Sequence, residues 1–158
     1  VMIAWVRMPK VTEEGWIGMF CTPRVVEVKN GHICFKMHPN IKSAYSRDIS
    51  GTEEAPEDGY MAVFDLEEGA GADIGGFRIS RVNGRVKADR TAVYPSFEGA
   101  HLVSETPVIA GTAHLEVLVD QHLIEIYIND GEYVISNAVY GAGKQITTEG
   151  VDMVRLYG

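Results

Sequence analysis

Between His114 and Ser136 apolar and polar residues alternate at every second position, and no other feature of the chain narrows its folding options as much. Leu115, Val117 and Val119 alternate with Glu116 and Asp120, and then Ile124, Ile126 and Ile128 alternate with Glu125, Tyr127 and Asn129. Successive side chains of an extended strand point to opposite faces, so this period predicts half-buried strands with the three isoleucines turned toward a core. Asp130-Gly131 lies between two such runs, where glycine takes a positive φ without a Cβ clash, and a hairpin is expected there. Asn30-Gly31, between VVEV and HICFKM, and Asn83-Gly84, between GFRISRV and RVKA, repeat the arrangement. A further alternating run, YMAVFDL from Tyr60 to Leu66, completes the pattern. Short strands at this spacing predict an all-β fold, an antiparallel two-sheet β-sandwich with helix almost absent.

Charge and hydropathy narrow the partners. Fourteen basic against twenty-two acidic residues leave a net charge of -8, which repels a phosphate backbone and argues against nucleic acid. No apolar run approaches the roughly 20 residues that a membrane-spanning helix needs, so no membrane is expected either. Cys21 and Cys34 are read as free, buried thiols, because a chain of this length has no need of one bridge. No leader segment opens the sequence and no Asn-x-Ser/Thr sequon interrupts it, and the expected setting is cytoplasmic. Val1 to Val6 reads as a strand already under way, which suggests a piece of a longer protein.

Two stretches depart from the strand pattern. Ser46 to Gly59 carries Asp48, Glu53, Glu54, Glu57 and Asp58 among turn formers and is expected to be a solvated loop. Residues 1–24 hold both tryptophans and end at Pro23, so a boundary is drawn between 1–24 and 25–158.

The residues that could carry chemistry do not assemble into a motif. His32, His38, His101, His114 and His122 lack the spacing of a metal site and read as surface or strand-end histidines. Neighbours on an extended chain face opposite ways, so Glu53/Glu54 and Glu67/Glu68 cannot by themselves make an acid/base pair and read as solvated charge. GAGADIGG, Gly69 to Gly76, has Ile74 where a nucleotide loop needs its third glycine, and no helix follows; a flexible turn is expected. No serine or cysteine has a recognisable base beside it. Neither a catalytic residue, a metal site nor a cofactor is assigned.

A resemblance carries the reading further. Leu115 to Gly141, LEVLVDQHLIEIYINDGEYVISNAVYG, resembles the carboxy-terminal signature of glycoside hydrolase family 32, the invertases, sucrose-6-phosphate hydrolases, inulinases and levanases. Val119-Asp120 match its aspartate turn, Glu125 to Asn129 match its E-V-F-V-N run, and Gly131 matches its glycine. Upstream, Trp5, Gly15-Trp16, Gly18 and Pro23-Arg24 resemble the family's passage from the last propeller blade into the sandwich, with Val25 where the family's P-R-E-L has glutamate. Asp89-Arg90 resembles an aspartate-arginine pair of the middle strands.

The resemblance implies a sandwich of concanavalin-like or jelly-roll type, with residues 1–24 as a blade remnant and linker. It also implies a parent enzyme, a retaining β-fructosidase whose aspartate nucleophile, stabilising aspartate and acid/base glutamate lie in W-M-N-D-P, R-D-P and E-C-P motifs on a five-bladed propeller. None of the three is present here; Arg47-Asp48 runs on into Ile49, and Cys21-Thr22-Pro23 follows Phe20. The implied role is packing on that propeller and stabilising it, with a homo-oligomer as a further partnership. Carbohydrate binding is the alternative, because Trp16, Tyr127, Tyr133 or Tyr140 could stack on a sugar ring.

Overall fold

The computed structural model describes residues 1–51 and 54–158, so the expectation for Glu53 lies outside the described residues. In chain order the strands are β1 (Trp5–Val6), β2 (Met19–Phe20), β3 (Arg24–Lys29), β4 (His32–Met37), β5 (Tyr60–Leu66), β6 (Gly71–Ile74) and β7 (Phe77–Val82). They continue with β8 (Arg85–Asp89), β9 (Val103–Glu105), β10 (Ala113–Asp120), β11 (Leu123–Ile128), β12 (Tyr133–Ala138), β13 (Ile146–Glu149) and β14 (Arg155–Tyr157). One sheet runs β12-β11-β10-β5-β14 and the other β13-β6-β7-β8-β9; β1-β2 and β3-β4 stand apart as two-stranded pairs. Every strand pairing is antiparallel.

The two five-stranded sheets bury their facing sides against each other. Ile124, Ile126 and Ile128 of β11 meet Leu115 and Val117 of β10 and Phe64 of β5, and the second sheet contributes Ile74, Phe77, Ile79 and Val86. The expected sandwich and its inward isoleucines are therefore present. The three hairpins are present as well: Asn30, Asn83 and Asp130 take φ of 52°, 54° and 58°, each before a glycine that is also at positive φ.

Three features differ from the sequence reading. Gly71 to Ile74 is a strand and not part of a flexible turn, because Ala72 and Ile74 alternate inward and β13 closes over its edge. A short helix, α1 (Pro39–Ala44), follows β4; proline opens it and the His38 ring accepts from the Asn40 amide at 3.2 Å. β11 is buried on both faces rather than one, with Glu125 and Tyr127 as inaccessible as the isoleucines between them.

That second burial has a source. Met37 of β4, with Ile41 and Tyr45 from α1 and its C-cap, packs on Met61, Leu118 and Tyr127 and makes a smaller core on the outer face of the sheet. The Lys42 ammonium reaches the shielded Glu116 carboxylate at 2.5 Å and compensates its burial. The stretch from Ser46 to Gly59 is a loop in its described part, pinned where the Ala55 amide donates to the Lys144 carbonyl.

Ile126→Ala should lower the unfolding free energy by about 3 kcal/mol, since it opens a cavity between sheets that cannot collapse, while Val28→Ala at an exposed hairpin position should cost less than about 0.5 kcal/mol. Urea unfolding of both variants, at unchanged dependence on denaturant, checks the contrast.

Candidate functional site

The side chains of greatest chemical interest gather where the amino-terminal segment crosses the outer face of the β12-β11-β10-β5-β14 sheet. Glu125 points away from the isoleucines because it is one residue out of phase with them, and its exposure is 0%. A carboxylate in such a place must be paired and fully hydrogen-bonded. The Arg24 guanidinium forms an ion pair with it, and Ser136 Oγ donates to the same oxygen at 2.7 Å. The other oxygen accepts from the Thr22 amide at 2.9 Å, from the Thr22 hydroxyl, and from the Tyr127 hydroxyl at 3.4 Å. Arg24 also donates to Ser136 and to the Tyr127 hydroxyl, and its guanidinium carbon lies 5.6 Å from the Tyr127 ring centroid.

The electrostatics follow from this packing. Burial works against the Arg24 charge, but the Glu125 carboxylate and the Tyr127 hydroxyl outweigh it, so the guanidinium holds its proton above the ordinary range. Burial, reinforced by Glu125, pushes the Tyr127 phenol up. A carboxylate offers about four lone-pair positions. With five donors directed at them, Glu125 holds the segment in place.

Other residues singled out in the sequence have separate local tasks. Trp5 lies over Gly18, where a Cβ would collide with the indole, and meets Phe20 edge-on at 5.3 Å. The Pro23 carbonyl accepts from the His38 amide at 3.1 Å. Asp89 accepts from the Thr91 amide at 2.8 Å, and Arg90 stacks on Tyr94 at 3.6 Å while donating to the carbonyls of His101 and Ala138. Asp120 accepts from the Gln121 amide in the turn between β10 and β11, and Asn129 receives the His114 amide at 3.0 Å. Gly131 meets the Phe35 backbone where a Cβ would sit, and its carbonyl accepts from Phe35 N at 2.8 Å. Of the two distant motifs, Arg24 and Glu125 are thus brought together, Asp89 and Arg90 stay at the other sheet, and Thr22 and Ser136 join without any signal in the sequence.

The remaining candidates sort as follows. Tyr127 is sealed inside and unavailable to a sugar, contrary to its inclusion among the stacking residues. Tyr133 packs edge-on against His32, and the Tyr140 hydroxyl donates to the Lys10 carbonyl at 2.8 Å. Trp16, 38% exposed, meets His122 edge-on, and His122 in turn faces the Glu14 carboxylate at 3.2 Å. Glu67 accepts from the Thr112 hydroxyl, and Glu68 accepts from the amides of Asn83 and Gly84 at the tip of the β7-β8 hairpin. Cys21 and Cys34 are free and buried. Among the described residues no three His, Cys, Asp or Glu side chains are arranged to hold a metal ion, and no helix is long and apolar enough to cross a membrane.

The family model described as "Glycosyl hydrolases family 32 C terminal" matches residues 60–154, which include β5 to β13 and the Glu125 motif. The chain belongs to the glycosyl hydrolase family 32 C-terminal family. A sucrose-6-phosphate hydrolase of Vibrio alginolyticus is 21% identical over 99% of this chain, which spans 35% of that protein's length. The sucrose-6-phosphate hydrolase structure from Lactobacillus gasseri superposes with a TM-score of 0.75 at 19% identity, covering 99% of this chain and 38% of the other. Fructan 1-exohydrolase IIa from Cichorium intybus gives 0.71 at 12% identity, with 99% and 44% covered. The chain thus spans less than half the length of these relatives.

Glu125→Leu should destabilise the chain by about 3–5 kcal/mol, because it leaves the Arg24 charge buried without a partner, whereas Arg24→Met/Glu125→Leu together should cost less than either single change. A double-mutant cycle by chemical unfolding reads this directly.

Proposed function

We propose that this chain is the non-catalytic carboxy-terminal sandwich of a β-fructosidase-type glycoside hydrolase acting on sucrose, sucrose 6-phosphate or fructans. In this reading it packs on a catalytic propeller, stabilises it and takes part in self-association. The observation that carries the proposal is the two-sided character of residues 1–24. One side is fastened to the sandwich through Thr22, Arg24 and Glu125, while the other presents Trp5 at 59% and Phe20 at 65% exposure, with Ile3 and Ile17 also exposed. Large apolar side chains on an exposed two-stranded pair are normally covered by another surface. The names of the sucrose-6-phosphate hydrolase and fructan exohydrolase relatives supply the substrate class.

The division into 1–24, the end of a propeller blade and linker, and 25–158, the sandwich, belongs to the same proposal. Among the described residues β1 and β2 pair only with each other, outside both large sheets, which supports it. Free buried thiols suit a reducing, cytoplasmic setting.

Two outcomes are expected. The purified chain should release no reducing sugar from sucrose, sucrose 6-phosphate or inulin, since a retaining hydrolysis needs two carboxylates about 5 to 5.5 Å apart on one scaffold and Glu125 is fully engaged. In the full-length protein, Trp5→Asp/Phe20→Asp should lower the thermal midpoint by several degrees while barely affecting the isolated chain. Turnover by the repurified chain, or equal effects on chain and full-length protein, would refute the reading.

A further inference from the structure

β3 is bonded to β4 along one edge, and among the described residues its other edge is occupied only at Arg24, whose amide and carbonyl exchange hydrogen bonds with Met2 at 2.9 and 2.8 Å. Backbone groups of a strand alternate in direction, so the N–H and C=O of Val26 and Val28 point the same way as those of Arg24, away from β4. Among the described residues nothing pairs with them. The side chains do not discourage pairing either. Val28 is 69% exposed, Val26 and Ile33 are also exposed, and all three lie on one face of the hairpin. Apolar edges of this kind recruit another strand.

We infer that the outer edge of β3 pairs with β3 of a second copy of this chain, antiparallel about a two-fold axis at Val28. Charge selects both the occupant and the register. With Val28 opposite Val28 of the second copy, Glu27 of each copy lies opposite Lys29 of the other, in the closer, non-hydrogen-bonded positions. Shifting one way sets Glu27 against Glu27, and shifting the other way sets Lys29 against Lys29. A further shift toward Arg24 requires the edge that Met2 already holds. Glu27 is also bound by Lys36 at 2.8 Å across the hairpin, whereas among the described residues Lys29 has no ion pair. The product is a four-stranded sheet, β4-β3-β3-β4, with Val26, Val28 and Ile33 of both copies on one face. An isologous contact of this kind closes on itself and stops at the dimer. It gives the self-association in the proposed function a surface, yet rests only on the ladder of β3.

Sedimentation equilibrium of the chain across a concentration series tests the pairing. The chain should dimerise, and Lys29→Glu should raise the dissociation constant by about tenfold, because two symmetry-related attractive pairs become repulsive. Glu27→Lys/Lys29→Glu should restore it by exchanging the signs. Val28→Pro removes an outward N–H that β4 does not use and should abolish the dimer; if that variant fails to fold, the charge exchange alone decides. Protection of the Val26 and Val28 amides from hydrogen exchange should appear only at dimer concentrations. A strict monomer up to the millimolar range, or a dimer indifferent to both substitutions, would overturn the inference. Neither result would touch the catalytic reading, which the sugar-release assay addresses separately.

Discussion

β11 is buried on both faces, and the two faces make opposite demands. Its isoleucines supply the apolar contact that holds the two five-stranded sheets together. On the other face the same period turns Glu125 and Tyr127 inward under the chain, where an uncompensated carboxylate would cost several kcal/mol. The amino-terminal segment meets that demand by bringing Arg24 and Thr22 across the sheet, and Met37 with α1 seals the apolar part beside them. The segment is therefore a lid that the strand requires, and its path is dictated from more than a hundred residues downstream.

This dependence explains why some of the structure is legible in the sequence and some is not. Asn-Gly and Asp-Gly can be read directly, because the conformation they favour is the one the hairpin uses: Asn30, Asn83 and Asp130 all have positive φ. The isoleucine face of β11 is legible from period two. Its other face is not, since alternation of polar and apolar residues describes a half-buried strand equally well, and the crossing of residues 22–24 together with Met37 and α1 buries it. β6 was obscured by glycines whose local preference is overruled by the inward packing of Ala72 and Ile74. α1 is too short to show a period and is marked only by His38-Pro39 at its start. The Arg24 and Glu125 motifs are each visible, whereas their meeting, and the contribution of Thr22 and Ser136, is a property of the fold.

The same geometry separates structural from catalytic carboxylates. A general acid must keep a site for its proton and an approach for the substrate, while a nucleophile must keep a free lone pair. Glu125 has neither, as donors from Thr22, Arg24, Tyr127 and Ser136 surround it. Among the exposed carboxylates, Glu68 caps a hairpin tip and Glu67 holds Thr112.

Large apolar side chains are exposed in several places, Val82, Phe97, Val103, Val108 and Met153 among them, and one group gathers around the amino-terminal segment. Ile3 just before β1, Trp5 and Phe20 of the first strand pair, and Val26, Val28 and Ile33 on the hairpin that follows all lie in or next to the segment that Arg24 fastens down. A rigid platform is useful when something else must find it, because a surface already ordered loses less conformational entropy on being covered. In the proposed association the buried ion pair acts before any partner arrives: it holds the apolar side chains in one arrangement, so that the contact energy is not spent on ordering them. On this argument the strength of the Arg24-Glu125 attachment and the exposure of the face above it are two parts of one arrangement. Weakening the first should reduce what the second can bind even where no contacting residue has changed.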